Sequence, residues 1–278
     1  PSIILLIYGI VTETSVARLF FAGIIPGLLL ALGNIITVVV IAMYLKLPRG
    51  AFDRHRIWPE TMKALPALGM PVVILGGLYG GLFTPTEAAA AACGYALLYG
   101  LIVGRREFVK QLLPVAARSL NLTAVILFLV GSVGVFQFLA ANLYWPQKIT
   151  ETIVGWGLTP LGFIFAFMGV LLILGMLVDG VAMVLLTVPV VFPVAMALKI
   201  DPIQLGIIIT LNVETGVVTP PVGLNLFAVS GTSKIPLTQV LKGTIPFFIG
   251  DLTVLILCIL FPGLSTWLPN LLITDVFK

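Results

Sequence analysis

Charge is what this sequence has least of: Asp, Glu, Lys and Arg make up 9% of its 278 residues, against about 25% in soluble domains. A surface that meets water on every side cannot be built from so few, so a soluble globular domain, a disordered tail and a secreted disulfide scaffold are excluded. Histidine occurs once, at His55, and cysteine twice, at Cys93 and Cys258. Each cysteine sits inside an apolar run, where a thiol packs as a small inert hydrophobe, and no His/Cys set exists to frame zinc or haem. What is abundant is apolar, 60% of the chain, enough for about eight hydrocarbon-spanning helices at roughly 20 residues each.

The net charge is +4, but its placement points away from nucleic acid. Nine of the fifteen basic residues fall in two clusters, Lys46, Arg49, Arg54, Arg56 and Lys63, then Arg105, Arg106, Lys110 and Arg118. Short basic segments beside long apolar ones mark the cytoplasmic side of a membrane protein. Residues 64–104 between them suffice for one pair of spans, out and back.

The chain opens at Pro1-Ser2 with no Met, charged leader or cleavage site, which predicts that the natural protein starts upstream. Ser2 to Val11 is apolar but too short to span, and ends in the turn Thr12-Glu13-Thr14-Ser15. Arg18 to Leu45 reads as a full span, kinked by Pro26. Arg49–Leu65 and Glu107–Arg118 mix polar and apolar residues in the manner of short helices lying in the interface, or of solvated linkers. Asn121 to Leu143 is a span closed by Tyr144, Trp145 and Pro146, an interfacial belt. The apolar run Leu161–Leu198 is interrupted by Gly175-Met-Leu-Val-Asp-Gly180. That interruption reads as the tip of a helical hairpin inside the membrane, or as a polar bend between two ordinary spans. Ile203 to Val218 is apolar apart from Asn212, Glu214 and Thr215. It must break as a helix at Thr219-Pro220-Pro221, since two successive prolines remove hydrogen bonds from the preceding turn. Val240 to Phe261 is the last span, containing Pro246 and Asp251, and a polar tail with Trp267 ends the chain.

At an offset of 220 the start of the chain repeats at its end. Pro1 meets Pro221, Thr12 meets Thr232, and Gly23-x-Ile25-Pro26 meets Gly243-x-Ile245-Pro246. The identities are few, but they fall on the helix break, the following turn and the entry to the next span. Interrupted helices at matching places in two halves point to a secondary transporter and to its binding site.

A helix broken at membrane depth offers carbonyls at one new end and N–H groups at the other, suited to a cation and an anion respectively. Asn212, Glu214, Thr215, Gly216, Thr219 and Asn225 cluster about one break, and Asp179 with its glycines forms another. Asp179 serves equally well as an ion ligand or as an acceptor for free N–H groups at a tip. Asp251 reads as structural. Thr84-Pro85-Thr86-Glu87 is a capping box with proline at the first helical position, so Thr84 and Glu87 are assigned to structure, as are Pro220 and Pro221. Gly76-Gly77 and Gly80-Gly81 suit close helix packing. No enzyme is expected. An intramembrane aspartyl protease would need Asp179 and Asp251 to face each other and a Gly-x-Gly-Asp context that is missing, and neither Gly-x-Ser-x-Gly nor His-Glu-x-x-His occurs.

Gly76-Gly-Leu-Tyr-Gly-Gly-Leu-Phe-Thr-Pro-Thr-Glu-Ala88, Gly175-Met-Leu-Val-Asp-Gly180 and Thr219-Pro-Pro-Val-Gly-Leu-Asn-Leu-Phe227 closely resemble the large membrane subunit of TRAP (tripartite ATP-independent periplasmic) transporters. The similarity runs over essentially the whole chain, which looks like the carboxy-terminal two thirds of such a subunit. The resemblance implies an all-α integral membrane protein of the bacterial inner membrane, an inverted-repeat elevator with a re-entrant hairpin, broken helices and interfacial arms. Its parts would be residues 1–15, the second half of a first broken helix; 16–65, a scaffold span and arm; and 66–104, two membrane helices. Residues 105–145 would be a second arm and scaffold span, 146–235 the second hairpin and broken helix, and 236–278 the last scaffold span and tail. Residues 1–15 and 146–235 would form the transport domain.

It implies further a Na⁺-coupled importer of an organic anion, of the sialic acid or C4-dicarboxylate class, with no organic cofactor. The implied partners are a small four-helix membrane subunit and a periplasmic substrate-binding protein, in a lipid bilayer and without nucleic acid. A carrier of similar architecture that takes dicarboxylates or citrate without a binding protein is the alternative. Carried onto this sequence, the Na⁺ ligands are Gly175, Gly216, Thr219 and Val222, largely through backbone oxygens. Ser2, as the counterpart of Val222, belongs to another Na⁺ site. Asp179, Asn225 and Thr219 lie near the substrate.

Overall fold

The computed structural model describes residues 2–48, 54–219 and 223–272. Pro1, Arg49, Pro220, Pro221 and Val222 lie outside these residues, as does the side chain of Arg54. All regular secondary structure among them is helical: α1 (Ile3–Thr12), α2 (Val16–Ala22), α3 (Ile24–Tyr44), α4 (Arg54–Tyr79), α5 (Pro85–Asn142), α6 (Trp145–Gly155), α7 (Pro160–Gly175), α8 (Gly180–Ala197), α9 (Pro202–Gly216), α10 (Leu224–Ser233), α11 (Leu237–Leu260) and α12 (Gly263–Leu272). Among the described residues, five stretches, Val16–Tyr44, His55–Tyr79, Pro85–Asn142, Gly180–Ala197 and Leu237–Leu260, are long and apolar enough to cross a membrane. The chain divides into two compact units, one of Pro1–Lys46 with Leu129–Lys278, the other of Leu47–Phe128.

In the Leu47–Phe128 unit, α4 runs from Arg54 to Tyr79 with Pro59, Pro66 and Pro71 inside it. No turn therefore separates the expected interfacial helix at residues 49–65 from the membrane helix after it. Tyr95 donates from its hydroxyl to the Pro66 carbonyl at 2.6 Å, tying α5 to α4. The chain leaves α4 through Gly80 and Gly81, the latter at φ +67, and re-enters helix at Thr84. There the capping box is reciprocal: the Glu87 carboxylate accepts from the Thr84 N–H at 2.8 Å and the Glu87 N–H reaches the Thr84 hydroxyl at 3.4 Å. Helix α5 is interrupted at Arg105, which has φ 42 and ψ −122. Beyond it the helix continues to Asn142 with Pro114 inside it. The second expected arm is thus continuous with the span that follows.

In the larger unit, α1 packs on α8, α9 and α2; α7 packs on α9 and α8; α3 packs on α11; and α6 packs on α8. Tyr8 of α1 is fully buried, meets the ring of Phe192 edge-on and donates to the Pro202 carbonyl at 2.7 Å. Gln204, buried at the start of α9, donates its amide to the carbonyls of Cys258 and Ile259 at 3.1 and 3.3 Å, covering acceptors that the last turn of α11 leaves free. Residues 263–272 form α12, whose Asn270 accepts from Arg18 of α2 at 2.6 Å; the rest of the expected tail, 273–278, lies outside the described residues. On α3, Leu28, Leu32, Ile35, Ile36 and Val39 are exposed, as suits a helix solvated by lipid.

The repeat is visible as recurring elements, a ten-residue helix and then a long one. Helices α1 and α10 each have ten residues and end in a left-handed residue, Glu13 at φ 55 and Lys234 at φ 56. Leu224 opens α10 at 221 positions after Ile3, whereas the two prolines, Pro26 and Pro246, are 220 apart. The first copy therefore carries one extra residue between the helix start and its proline. It lies between Val16 and Gly23, seven positions against six from Leu237 to Gly243, in a stretch that ends at the turn Gly23 where the second copy has the uninterrupted α11. Pro26 accordingly sits in the first turn of α3, where its missing N–H is not needed, and the interruption falls at Gly23 rather than at the proline.

Candidate functional site

Helices α7 and α8 form a hairpin with residues 176–179 at its tip, and α9 and α10 flank the break after Thr219. Asp179 caps α8: its carboxylate accepts from the Val181 N–H at 3.0 Å. Of the two roles open to Asp179, the capping one is thus directly visible. Across the break, the Asn225 N–H of α10 donates to the Val217 carbonyl at 3.3 Å, while Gly223 caps α10 at φ 57, a conformation that costs glycine little.

The polar residues that cluster in sequence around α9 divide between two faces. On one face Asn212, fully buried, donates to the Met168 carbonyl of α7 at 3.1 Å, and its Oδ1 has no partner among the described residues. One turn on, Gly216 meets Gly175 so closely that a Cβ on Gly175 would lie 2.9 Å from the Gly216 Cα. Thr219 is buried, and its hydroxyl donates to the Thr215 carbonyl at 2.6 Å. This leaves the hydroxyl's lone pairs as acceptors.

The other face of α9, with Val213, Glu214 and Val217, lines a cavity of about 330 Å³. Its remaining walls are the start of α1 at Ser2 to Ile4, the start of α8 at Asp179 to Val181, and Asn225. Gly180 is pinched between these walls: a Cβ there would lie 2.6 Å from Val213 Cγ1 and 3.3 Å from Ile4 Cδ1. Ser2 caps α1 by accepting from the Ile4 N–H at 3.2 Å. Thr219 is not among the lining residues, so of the three expected near a substrate, Asp179 and Asn225 share the cavity and Thr219 belongs with Gly216. Asp251, in α11, does not line it either. The involvement of α1 was signalled only by Ser2; the tight Gly180 contact and the Asn212 tie have no short-range sequence signature.

The helix ends sort by sign. Helices α7 and α9 bring their C-termini together at Gly175 and Gly216, where carbonyl ends favour a cation. Helices α1, α8 and α10 present their N-terminal ends to the cavity, where N–H groups favour an anion. No group of three or more His, Cys, Asp or Glu among the described residues is placed to hold a metal ion. A cation held at Gly175 and Gly216 would therefore rest on carbonyl and hydroxyl oxygens, the ligands that hard cations take.

This arrangement, in a helical protein with several membrane-crossing segments, defines a multi-pass membrane protein. The family model for the tripartite ATP-independent periplasmic transporter DctM component matches residues 1–264, and the chain belongs to that family. It is 40% identical over 271 residues to the C4-dicarboxylate TRAP transporter large permease protein DctM of Pseudomonas aeruginosa, covering 97% of this chain and 64% of that protein. It is 35% identical to the sialic acid large permease protein SiaM of Vibrio cholerae, covering 98% of this chain and 64% of the relative. With the ectoine/5-hydroxyectoine large permease protein UehC of Ruegeria pomeroyi it shares 37% identity, at 98% and 64% coverage. The chain thus spans 64% of the length of each of these relatives.

Proposed function

We propose that this chain forms the substrate and ion pathway of a Na⁺-coupled importer of an organic acid, resident in the bacterial inner membrane. Its partners are a small four-helix membrane subunit and a periplasmic protein that delivers the substrate. Na⁺ binds where the C-termini of α7 and α9 converge, at Gly175, Gly216 and the Thr219 hydroxyl, with Val222 completing the set. The organic anion binds in the cavity faced by the starts of α1, α8 and α10, beside Asp179 and Asn225. Ser2 contributes to a further Na⁺ site. The hairpin α7–α8 enters and leaves the membrane from one side, and the α1, α7–α10 assembly moves across the bilayer as an elevator.

The observation that carries this reading is the opposed polarity of the helix ends, cation-favouring at one place and anion-favouring at the neighbouring one. Both are reached through α9, so filling the first site steadies a wall of the second, as coupling requires. The named substrates of the relatives, C4-dicarboxylate, sialic acid and ectoine, supply the organic-acid class. The test is uptake of radiolabelled acids by proteoliposomes containing the permease and both partners. Accumulation is expected only with an inward Na⁺ gradient and with the binding protein present. Equal uptake in K⁺, or uptake without the binding protein, contradicts the proposal.

A further inference from the structure

The cavity holds one carboxylate that the fold leaves unanswered. Asp179 is engaged by the Val181 N–H, but Glu214, exposed on the cavity wall, has neither an ion pair nor a hydrogen bond among the described residues. It lies in the last turn of α9, which ends at Gly216, so its own helix presents it with a negative end. No Lys, Arg or His lines the cavity among the described residues. The space, about 330 Å³, is many times what a single water needs and admits a small organic molecule.

The cavity thus has two chemically different sides. The starts of α1 and α10 favour a carboxylate, whereas the start of α8 is already answered by the Asp179 carboxylate; Glu214, without such an N–H partner, repels a carboxylate and accepts an O–H or N–H. Resting on the organic-acid reading above, we propose that Glu214 is a specificity-determining residue that selects acids bearing a hydroxyl or ammonium group beside the carboxylate. Such a substrate lies with its carboxylate toward the helix starts and its donor on the Glu214 oxygens. An acid without a donor places only C–H or carboxylate oxygen against Glu214 and leaves it uncompensated, the situation in which a site rejects an analogue lacking one polar group.

Three probes with one carbon skeleton separate the possibilities: succinate with no donor, malate with a hydroxyl, aspartate with an ammonium. Na⁺-driven uptake of each is measured with the same binding protein for wild type, Glu214→Leu and Glu214→Asp, so that selection by the binding protein cancels in the mutant-to-wild-type comparison. The malate-to-succinate or aspartate-to-succinate ratio is expected to fall at least tenfold in Glu214→Leu and to recover substantially in Glu214→Asp. Which ratio falls identifies the donor. Unchanged ratios in Glu214→Leu overturn the inference while leaving Na⁺-driven transport intact. A raised Na⁺ half-saturation with the ratios preserved also overturns it, and makes Glu214 an ion ligand. Transport of none of the three acids by wild type overturns this assignment, while the organic-acid reading stands or falls on the wider uptake series above.

Discussion

Gly175 and Gly216 stand backbone against backbone: a Cβ on Gly175 would lie 2.9 Å from the Gly216 Cα, and one on Gly216 would lie 3.0 Å from the Gly175 Cα. Helices α7 and α9 can bring their C-terminal carbonyl ends to one point only because neither residue has a side chain. Gly216→Ala is expected to cost about 1–3 kcal/mol, the ordinary cost of overpacking a close contact. It should also raise the Na⁺ concentration for half-maximal uptake at least tenfold. Thermal melts and Na⁺ titrations of uptake read the two effects separately.

Thr219 tests the side-chain part of the same site. Its hydroxyl gives its proton to the Thr215 carbonyl and keeps lone pairs for a cation. Thr219→Ala should weaken Na⁺ activation of uptake, whereas Thr219→Ser, which retains the oxygen, should stay within a few-fold of wild type. Equal loss in both variants would assign Thr219 to packing.

The α1 anchor makes a stability prediction. Tyr8→Phe removes the donor to the Pro202 carbonyl and should cost about 1–2 kcal/mol, the usual loss for a buried hydrogen bond. Gly206→Ala places a Cβ 2.7 Å from the Tyr8 ring and should cost about 1–3 kcal/mol. In the double variant Gly206→Ala with Tyr8→Leu the costs should be less than additive, because the two residues contact each other. Melting of wild type, Gly206→Ala, Tyr8→Leu and the double variant closes the cycle.

The capping box supplies a control away from the cavity. Thr84→Ala should cost about 1 kcal/mol, as loss of an N-cap does. Glu87→Gln should lower the melting temperature without changing the Na⁺ half-saturation of uptake. A changed Na⁺ dependence in Glu87→Gln would move that residue from structure to transport.

Much of this was legible in the sequence because it depends on residues that act locally. The scarcity of charge gave the membrane setting, the Thr84-Pro85-Thr86-Glu87 spacing gave the cap, and the polar stretch before Leu224 marked the interruption between α9, which ends at Gly216, and α10. What was not legible depends on pairs distant in the chain. Asn212, Glu214 and Thr219 read as one polar cluster, yet helical spacing sends Asn212 and Gly216 toward α7 and Glu214 toward the cavity. The arms at 49–65 and 107–118 rested on polarity alone. Polarity alone does not end a helix, and α4 and α5 run through these stretches with Pro59, Pro66 and Pro114 inside them.

The central claim, that Na⁺ is held where α7 and α9 end, is tested most directly by the melting temperature of the purified protein as KCl is replaced by NaCl at constant ionic strength. Binding confined to the folded state stabilises it by about 2.7 kcal/mol at a hundred times the dissociation constant. The wild-type melting temperature should therefore climb with Na⁺ and saturate, while Gly216→Ala and Thr219→Ala should show a clearly smaller Na⁺-specific rise, the remainder coming from the further site at Ser2. A wild-type protein indifferent to the exchange, or variants that climb as steeply as wild type, would contradict the claim.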